Sequence, residues 1–268
     1  MTTTTLRNSV RPGDRSAPAL LTNSGLLIGL AADDRPVTLP HDGGHVLVAA
    51  GSGGGTTTVL RSLAAQALVS GARTDILDLS HCEHSWADAL PGARHLHDAA
   101  AIHDYLLIAA ADLNSAPRVA PATGWGARRV LIVEELSRLA DALRGYWIET
   151  RPETQLQEAP GVEALALLLA SGRAYGWTVI AGDTGGTVPG PGPLHHRHFP
   201  TRVLGYGRRL WLQLAPGHDA PPYSHVTGRF HLVAGNTATP FQALYLTEAQ
   251  ATTLASTSAP GTEQQGCA

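Results

Sequence analysis

"HVLVAAGSGGGTTTVLRSLAAQAL", residues 45–68, joins an apolar run to a cluster of glycines and hydroxyls and then to an apolar pattern of helical period. The run HVLVAA has the length of a strand buried on both faces. From Thr56 to Ser70 the residues Leu60, Leu63, Ala64, Ala67 and Leu68 fall on one helix face, and Gly71 is placed to stop that helix. A glycine-rich turn between a buried strand and a helix gathers backbone N–H groups at a helix N-terminus, an arrangement suited to anions. This one turn therefore predicts both a fold class and a place for a ligand.

Working outward, strands and helices keep alternating. "GLLIGLAADDRPVTLPHDGG" reads as two short strands around the polar turn Ala32 to Arg35. Beyond the first helix come a strand at Thr74 to Leu79 and a helix over Asp98 to Leu113, with Asp98 as N-cap. A Pro/Gly-rich break, "NSAPRVAPATGWGA", leads to the apolar strand "RRVLIVEEL" and a helix over Ser137 to Ile148. A second helix, "GVEALALLLASGRAYG", and a strand, "WTVIAGDT", precede the loop "GGTVPGPGPLHHRH". "TRVLGYG", "RFHLVAG" and "FQALYLT" supply three more strands before a short helix from Glu248. Strands separated by helices of this length imply right-handed βαβ units in a mostly parallel sheet covered on both faces. Any ligand is then expected at the carboxyl ends of the strands.

Composition narrows the possibilities. In 268 residues, 43% hydrophobic and 15% charged, there is room for one sizeable folded domain. Residues 1–22 and 256–268, rich in Thr, Ser, Pro and Gly, read as mobile tails around a domain at 23–255. No run is long and apolar enough for a membrane span and no signal peptide is apparent, so a cytoplasmic location is expected. Cys82 and Cys267 suggest neither a disulfide framework nor a metal site. The net charge of −3 gives no bulk attraction to nucleic acid, and all 19 basic residues are arginine.

That last count bears on the opening stretch. A P-loop, G-x-x-x-x-G-K-[ST], wraps phosphates in backbone N–H groups, reaches them with its lysine and holds Mg²⁺ with its hydroxyl. Here Gly55 takes the second glycine and Thr57 the hydroxyl, while Ala50 and Thr56 stand where the first glycine and the lysine belong. The plain alternative for Gly51, Ser52, Gly53, Gly54 and Gly55 is a flexible strand-to-helix turn capped by Thr56 or Thr57. Glu134 and Glu135, at the end of the most apolar strand, are placed as a Walker B pair: Glu134 with Thr57 for Mg²⁺, Glu135 for the attacking water.

The order of segments resembles the motor domain of FtsK/SpoIIIE-family DNA translocases, in the branch carried by actinobacterial conjugative plasmids and integrative elements. The likeness runs from about Leu26 to Ala255. It is carried by "IGLAADDRPVTLP", by "HVLVAA", and by "LDLSHCEHSWADALPGARHLHDAAAIHDYL" with its Trp, Leu-Pro-Gly and Ile-His-Asp. "VLIVEELSRLADALRGYW" is similar to the Walker B strand and its helix, and "LLLASGRAYGWTVIAGDT" to the sensor strand. "FPTRVLGYG" is similar to the Pro-Thr-Arg strand and "GRFHLVAGNTATPFQALYLTEAQ" to the closing hairpin. The resemblance implies a RecA-like P-loop NTPase fold with a small N-terminal β hairpin, ATP and Mg²⁺ as ligands, and double-stranded DNA gripped without regard to sequence. It also implies a homo-oligomer, hexameric in the family, or a hetero-assembly with an active FtsK-like protein.

The departures shape the functional expectation. Thr56 replaces the lysine, and Asp183 stands where the family has a neutral Gln that senses the γ-phosphate, which the aspartate would repel. A degenerate translocase of a plasmid or mobile element is expected, binding nucleotide weakly and DNA as an oligomer, with little or no hydrolysis. The alternatives are a non-enzymatic adaptor of an active translocase, or an ATPase completed by an arginine in trans. For DNA, Arg197, Arg208 and Arg209 are the candidates. "HCEH" (81–84) is read as a non-metal segment, "HHRH" (195–198) as a solvated loop, and Arg202 as either structural or serving a neighbouring subunit. Trp86, Trp147 and Trp177 are read as core.

Overall fold

The computed structural model describes residues 5–14, 21–22, 25–116, 128–151, 158–184 and 194–257. Residues 1–4, 15–20 and 258–268 of the expected tails, 117–127 of the Pro/Gly break and 185–193 of the later loop lie outside the described residues. The chain begins with β1 (Leu21–Thr22), β2 (Gly25–Ala31) and β3 (Pro36–Pro40), the last two forming the hairpin expected around Ala32. Next come β4 (Val46–Ala49), α1 (Thr56–Val69), β5 (Arg73–Leu77), β6 (Ala93–Leu96) and α2 (Ala99–Ser115). They are followed by β7 (Arg129–Val133), α3 (Leu136–Thr150), α4 (Pro160–Ser171), β8 (Trp177–Asp183), β9 (Thr201–Leu204) and α5 (Arg208–Leu214). β10 (Arg229–Ala234), β11 (Thr237–Ala243) and α6 (Glu248–Ser256) close the described chain.

All eleven strands belong to one sheet. Its parallel part has the spatial order β9-β4-β8-β7-β5-β6. β10, β11 and β2 continue it antiparallel beyond β9. After β4 the chain crosses to β5, returns through β7 and β8, and places β9 on β4's other flank. The strand order thus reverses beside β4, where a crevice opens at the carboxyl ends.

Side-chain alternation explains why these strands read as continuous apolar runs. Leu47, Ala49, Leu131, Val133, Val179 and Ala181 face the core beneath α2, α3 and α4. Val46, Val48, Val130, Ile132 and Ile180 face the opposite core, where α1 lies. With both faces covered, neither parity can be polar.

α1 ends as its sequence suggests: the Ser70 N–H returns to the Gln66 carbonyl, and Gly71 follows with φ +77°. Asp98 caps α2, its carboxylate accepting from the Ala101 N–H at 2.9 Å. Gln66 of α1 is fully buried and grips β2, accepting from Leu27 N–H at 2.8 Å and donating to the Leu27 carbonyl at 2.9 Å. Leu27 sits where the β2–β3 register shifts, so the side-chain amide supplies the pairing there.

Three elements had no sequence signal. β1, in the stretch that reads as tail, pairs with β2. β6, "ARHL", lacks apolar alternation because it is an edge strand paired only with β5. α5, "RRLWLQL", is too short for a helical period yet buries Leu210, Trp211 and Leu214. Part of the expected N-terminal tail is ordered against the sheet: Val10 is fully buried and bridges Leu244. Trp86 and Trp177 are core, whereas Trp147 is only partly buried against it.

Candidate nucleotide-binding site

The loop from Ala50 to Gly55 leaves β4 at the crevice. Gly53 and Gly55 adopt φ +73° and +102°, so the backbone turns in a way a side chain at either position would strain. Gly54 N–H donates to the Gly51 carbonyl at 2.9 Å, and the Gly54 carbonyl accepts from Gly228 N–H at 3.2 Å, tying the loop to the β10–β11 hairpin region. Ser52 and Gly53 border two cavities, one on each side of the loop.

The first cavity, about 310 Å³, lies between the loop and the ends of β5, β7 and β8. Thr57, Asp78, Glu83, Glu134, Glu135, Arg138 and Thr184 line it. Glu134 is 5% exposed, and both its carboxylate oxygens are engaged. The Thr57 hydroxyl donates to Oε1, and His84 Nε2 lies 2.6 Å from Oε2. Because Trp86 Nε1–H donates to His84 Nδ1 at 3.3 Å, Nε2 is the nitrogen that carries the proton towards Glu134. Glu135 is held differently, accepting from the Thr184 hydroxyl and, at 3.1 Å, from the Thr184 N–H.

Sequence reasoning missed His84 and Asp78. Asp78 directly follows β5 and organises the turn that carries His84, accepting from the N–H groups of Ser80 at 2.9 Å, Glu83 at 3.0 Å and His84 at 3.2 Å. Burial alone would raise its carboxyl, but the neighbouring His95 and the Ser80 hydrogen bonds outweigh this and hold it well below the usual carboxylate range. Burial likewise pulls His95 down, and its contacts with Asp78 and Asp88 raise it on balance. The signal was present in "HCEH", read only for metal-ligand spacing. Among the described residues no group of three or more histidine, cysteine or acidic side chains is gathered as metal ligands would be.

Three expected site residues, Gly55, Thr56 and Asp183, line neither cavity. Thr56 is 2% exposed, its hydroxyl buried without a hydrogen-bond partner among the described residues, and it lines neither cavity. Its methyl lies against β8, where a Cβ built on Gly182 would come within 2.9 Å of it and within 2.4 Å of the Glu134 carbonyl. Asp183, 4% exposed, also lines neither cavity; the Ser137 hydroxyl donates to it at 2.5 Å. Thr184, the next residue, takes the position on the wall.

The second cavity, about 210 Å³, is lined by Gly51 to Gly54, Gly205, Tyr206, Tyr223, His225 and Arg229. Tyr206 and Tyr223 meet edge-on with ring centroids 6.4 Å apart, and His225 lies 4.8 Å from Tyr223. Of the DNA candidates, Arg197 precedes β9 and Arg208 and Arg209 follow it at the start of α5, all three exposed. Arg202 is bound to the carbonyls of Phe199, Leu214 and His196, joining the turn before β9 to the end of α5. These contacts are those of a structural residue.

No protein-family model and no curated protein matches this chain. Its fold is shared with solved structures. The pCW3 conjugation coupling protein TcpA, in a monomer form with ATPγS, is 18% identical with a TM-score of 0.71, over 95% of this chain and 75% of that one. The cytoplasmic domain of the Thermomonospora curvata type VII secretion ATPase EccC is 18% identical with a TM-score of 0.67, over 90% of this chain and 28% of that one. EssC (ATPases 2 and 3) from Geobacillus thermodenitrificans is 13% identical with a TM-score of 0.67, over 94% and 51% respectively. The chain thus spans about half or less of these two secretion ATPases. The expected RecA-like P-loop NTPase fold is the fold observed. Among the described residues no helix is long and apolar enough to cross a membrane.

Proposed function

We propose that this chain is a degenerate FtsK/SpoIIIE-type translocase domain of a conjugative plasmid or other mobile element that binds Mg²⁺-nucleotide weakly and hydrolyses it little. The observation that carries this reading is the contact of Thr57 with Glu134 beside a loop whose position 56 holds a buried threonine. A hydroxyl and a carboxylate joined across the crevice are the pair that holds Mg²⁺ in P-loop enzymes, and they fit that ion. Gly51 to Gly55 would offer backbone N–H groups to the phosphates, and the aromatic cavity has the flat surfaces a base needs. When bound, Mg²⁺ would neutralise phosphate charge.

The acidic wall makes the ion indispensable. Asp78, Glu83, Glu134 and Glu135 surround the first cavity, so a bare polyphosphate would meet repulsion. Titration with ATP, followed by thermal shift with Mg²⁺ and then with EDTA, tests this: stabilisation is expected only with the ion. Hydrolysis at a rate typical of motor ATPases would overturn the degenerate reading.

DNA enters by the same reasoning. With a net charge of −3, a single copy offers DNA phosphates no bulk attraction. We propose sequence-independent, salt-sensitive DNA binding only in an assembly, either a ring of this chain or one shared with an active translocase. A gel shift across a salt series beside light scattering tests it, and tight, salt-insensitive binding by a monomer contradicts it. One observation favours the adaptor alternative: the oxygens of Glu134 and Glu135 are already engaged within the chain. No ATP stabilisation under any condition would decide for the adaptor.

A further inference from the structure

The first cavity has four carboxylates on its wall and one cationic side chain, Arg138. Arg138 occupies the first turn of α3, three residues beyond Glu135, and is exposed. Among the described residues its guanidinium has no ion-pair or hydrogen-bond partner, although acidic groups line the same cavity. Glu134 and Glu135, the acids nearest in sequence, are taken by Thr57, His84 and Thr184. The guanidinium is therefore left available beside the loop, a planar cation shaped to donate to two phosphate oxygens.

We propose that Arg138 supplies from α3, within the same chain, the phosphate-binding cation that the loop lacks at Thr56. The ligand class is a Mg²⁺-bound nucleoside triphosphate, and the inference rests on the nucleotide-binding reading above. The two positions differ in approach: a loop lysine reaches phosphate from beneath, whereas Arg138 reaches it from the acidic wall. An arginine so placed retains the ligand without restoring the loop's geometry, in keeping with binding that outlasts turnover.

The test is a double-mutant cycle on the full chain, read by calorimetric binding of Mg²⁺-ATPγS, with Mg²⁺-pyrophosphate in parallel. Arg138→Gln is expected to weaken Mg²⁺-ATPγS binding about ten- to a hundredfold, the range of a lost charged hydrogen bond, with Arg138→Lys intermediate. The thermal midpoint of the unliganded protein should not move, because the side chain supports nothing in the fold. In a Thr56→Lys background the same change should cost less than about threefold, the new lysine having made the arginine redundant. Equal affinity of Arg138→Gln and the parent, or an undiminished loss in the lysine background, overturns the inference while leaving nucleotide binding intact. Pyrophosphate bound as tightly as Mg²⁺-ATPγS overturns the nucleoside assignment. Failure of both the parent and Thr56→Lys to bind overturns the nucleotide reading and this inference with it.

Discussion

The loop and the acidic wall facing it have fared differently. The loop keeps what backbone provides: left-handed glycines and a helix start. It lacks what a side chain provided, because Thr56 is buried against Gly182 and reaches neither cavity. The wall keeps its side chains and surrounds them with partners, Glu134 between Thr57 and His84, and Glu135 on Thr184. Backbone geometry survives sequence change more readily than a single charged atom does, and carboxylates already hydrogen-bonded by their own fold do not need a ligand to persist.

The largest expected effect comes from the seam between the two regions. A Cβ at Gly182 would lie 2.4 Å from the Glu134 carbonyl and 2.8 Å from Leu60 Cδ1, with backbone on one side and a fully buried side chain on the other. Gly182→Ala should therefore cost about 3 kcal/mol or more, in the upper range of overpacking. Urea denaturation measures it, and a loss below about 1 kcal/mol would show that loop and wall can slide apart.

Acid should separate the regions next. His45 anchors the base of β4, its Nδ1 accepting from Val179 N–H at 2.9 Å, and burial, with His198 and Arg173 nearby, pushes it down to about 4. A base with a lowered pKa binds more protons when unfolded, so its contribution is complete above about pH 6.5 and lost as pH falls towards 4. That amounts to about 3 kcal/mol at most for His45. His231, pushed to about 4 by burial and by Arg229, acts in the same direction. Asp78, with its carboxyl held low, begins to lose its contribution only below about pH 4. Stability followed from pH 7 to 3 should decline in two stages, and His45→Asn should flatten the first.

Restoring the missing charge sharpens the contrast directly. Thr56→Lys should tighten Mg²⁺-ATP binding by about 1.5–3 kcal/mol, the value of a hydrogen bond to a charged group, without producing a DNA-stimulated ATPase. Calorimetry and phosphate release measure the two halves of that statement. Recovery of motor activity by this one change would mean that the wall was never impaired.

The smallest effect is expected at Glu135. Its oxygens are occupied by Thr184, so Glu135→Gln should leave the slight residual phosphate release unchanged. A rapid basal rate abolished by this substitution would show that the wall is catalytically intact.

How much of this was legible beforehand depended on the range of the interactions. The alternation of buried strands with amphipathic helices, the turn at Gly51 to Gly55 and the acids ending "RRVLIVEEL" are local patterns, set by backbone geometry and by which faces must avoid water. They determined the α/β class, the parallel order of elements and the position of the candidate loop at the carboxyl ends of the strands. The edge strand Ala93–Leu96 and the short helix Arg208–Leu214 left no period because neighbours, not propensity, stabilise them. The same holds within the site. The family resemblance put Asp183 beside the phosphate; in the fold it accepts from Ser137, and Thr184 lines the cavity wall. It took tertiary structure to bring His84 to Glu134, 50 residues away in sequence, and to leave Arg138 beside the loop without a partner among the described residues. A residue type and its spacing fix what chemistry a side chain can do, while direction and partnership arise only when distant segments are closed against each other.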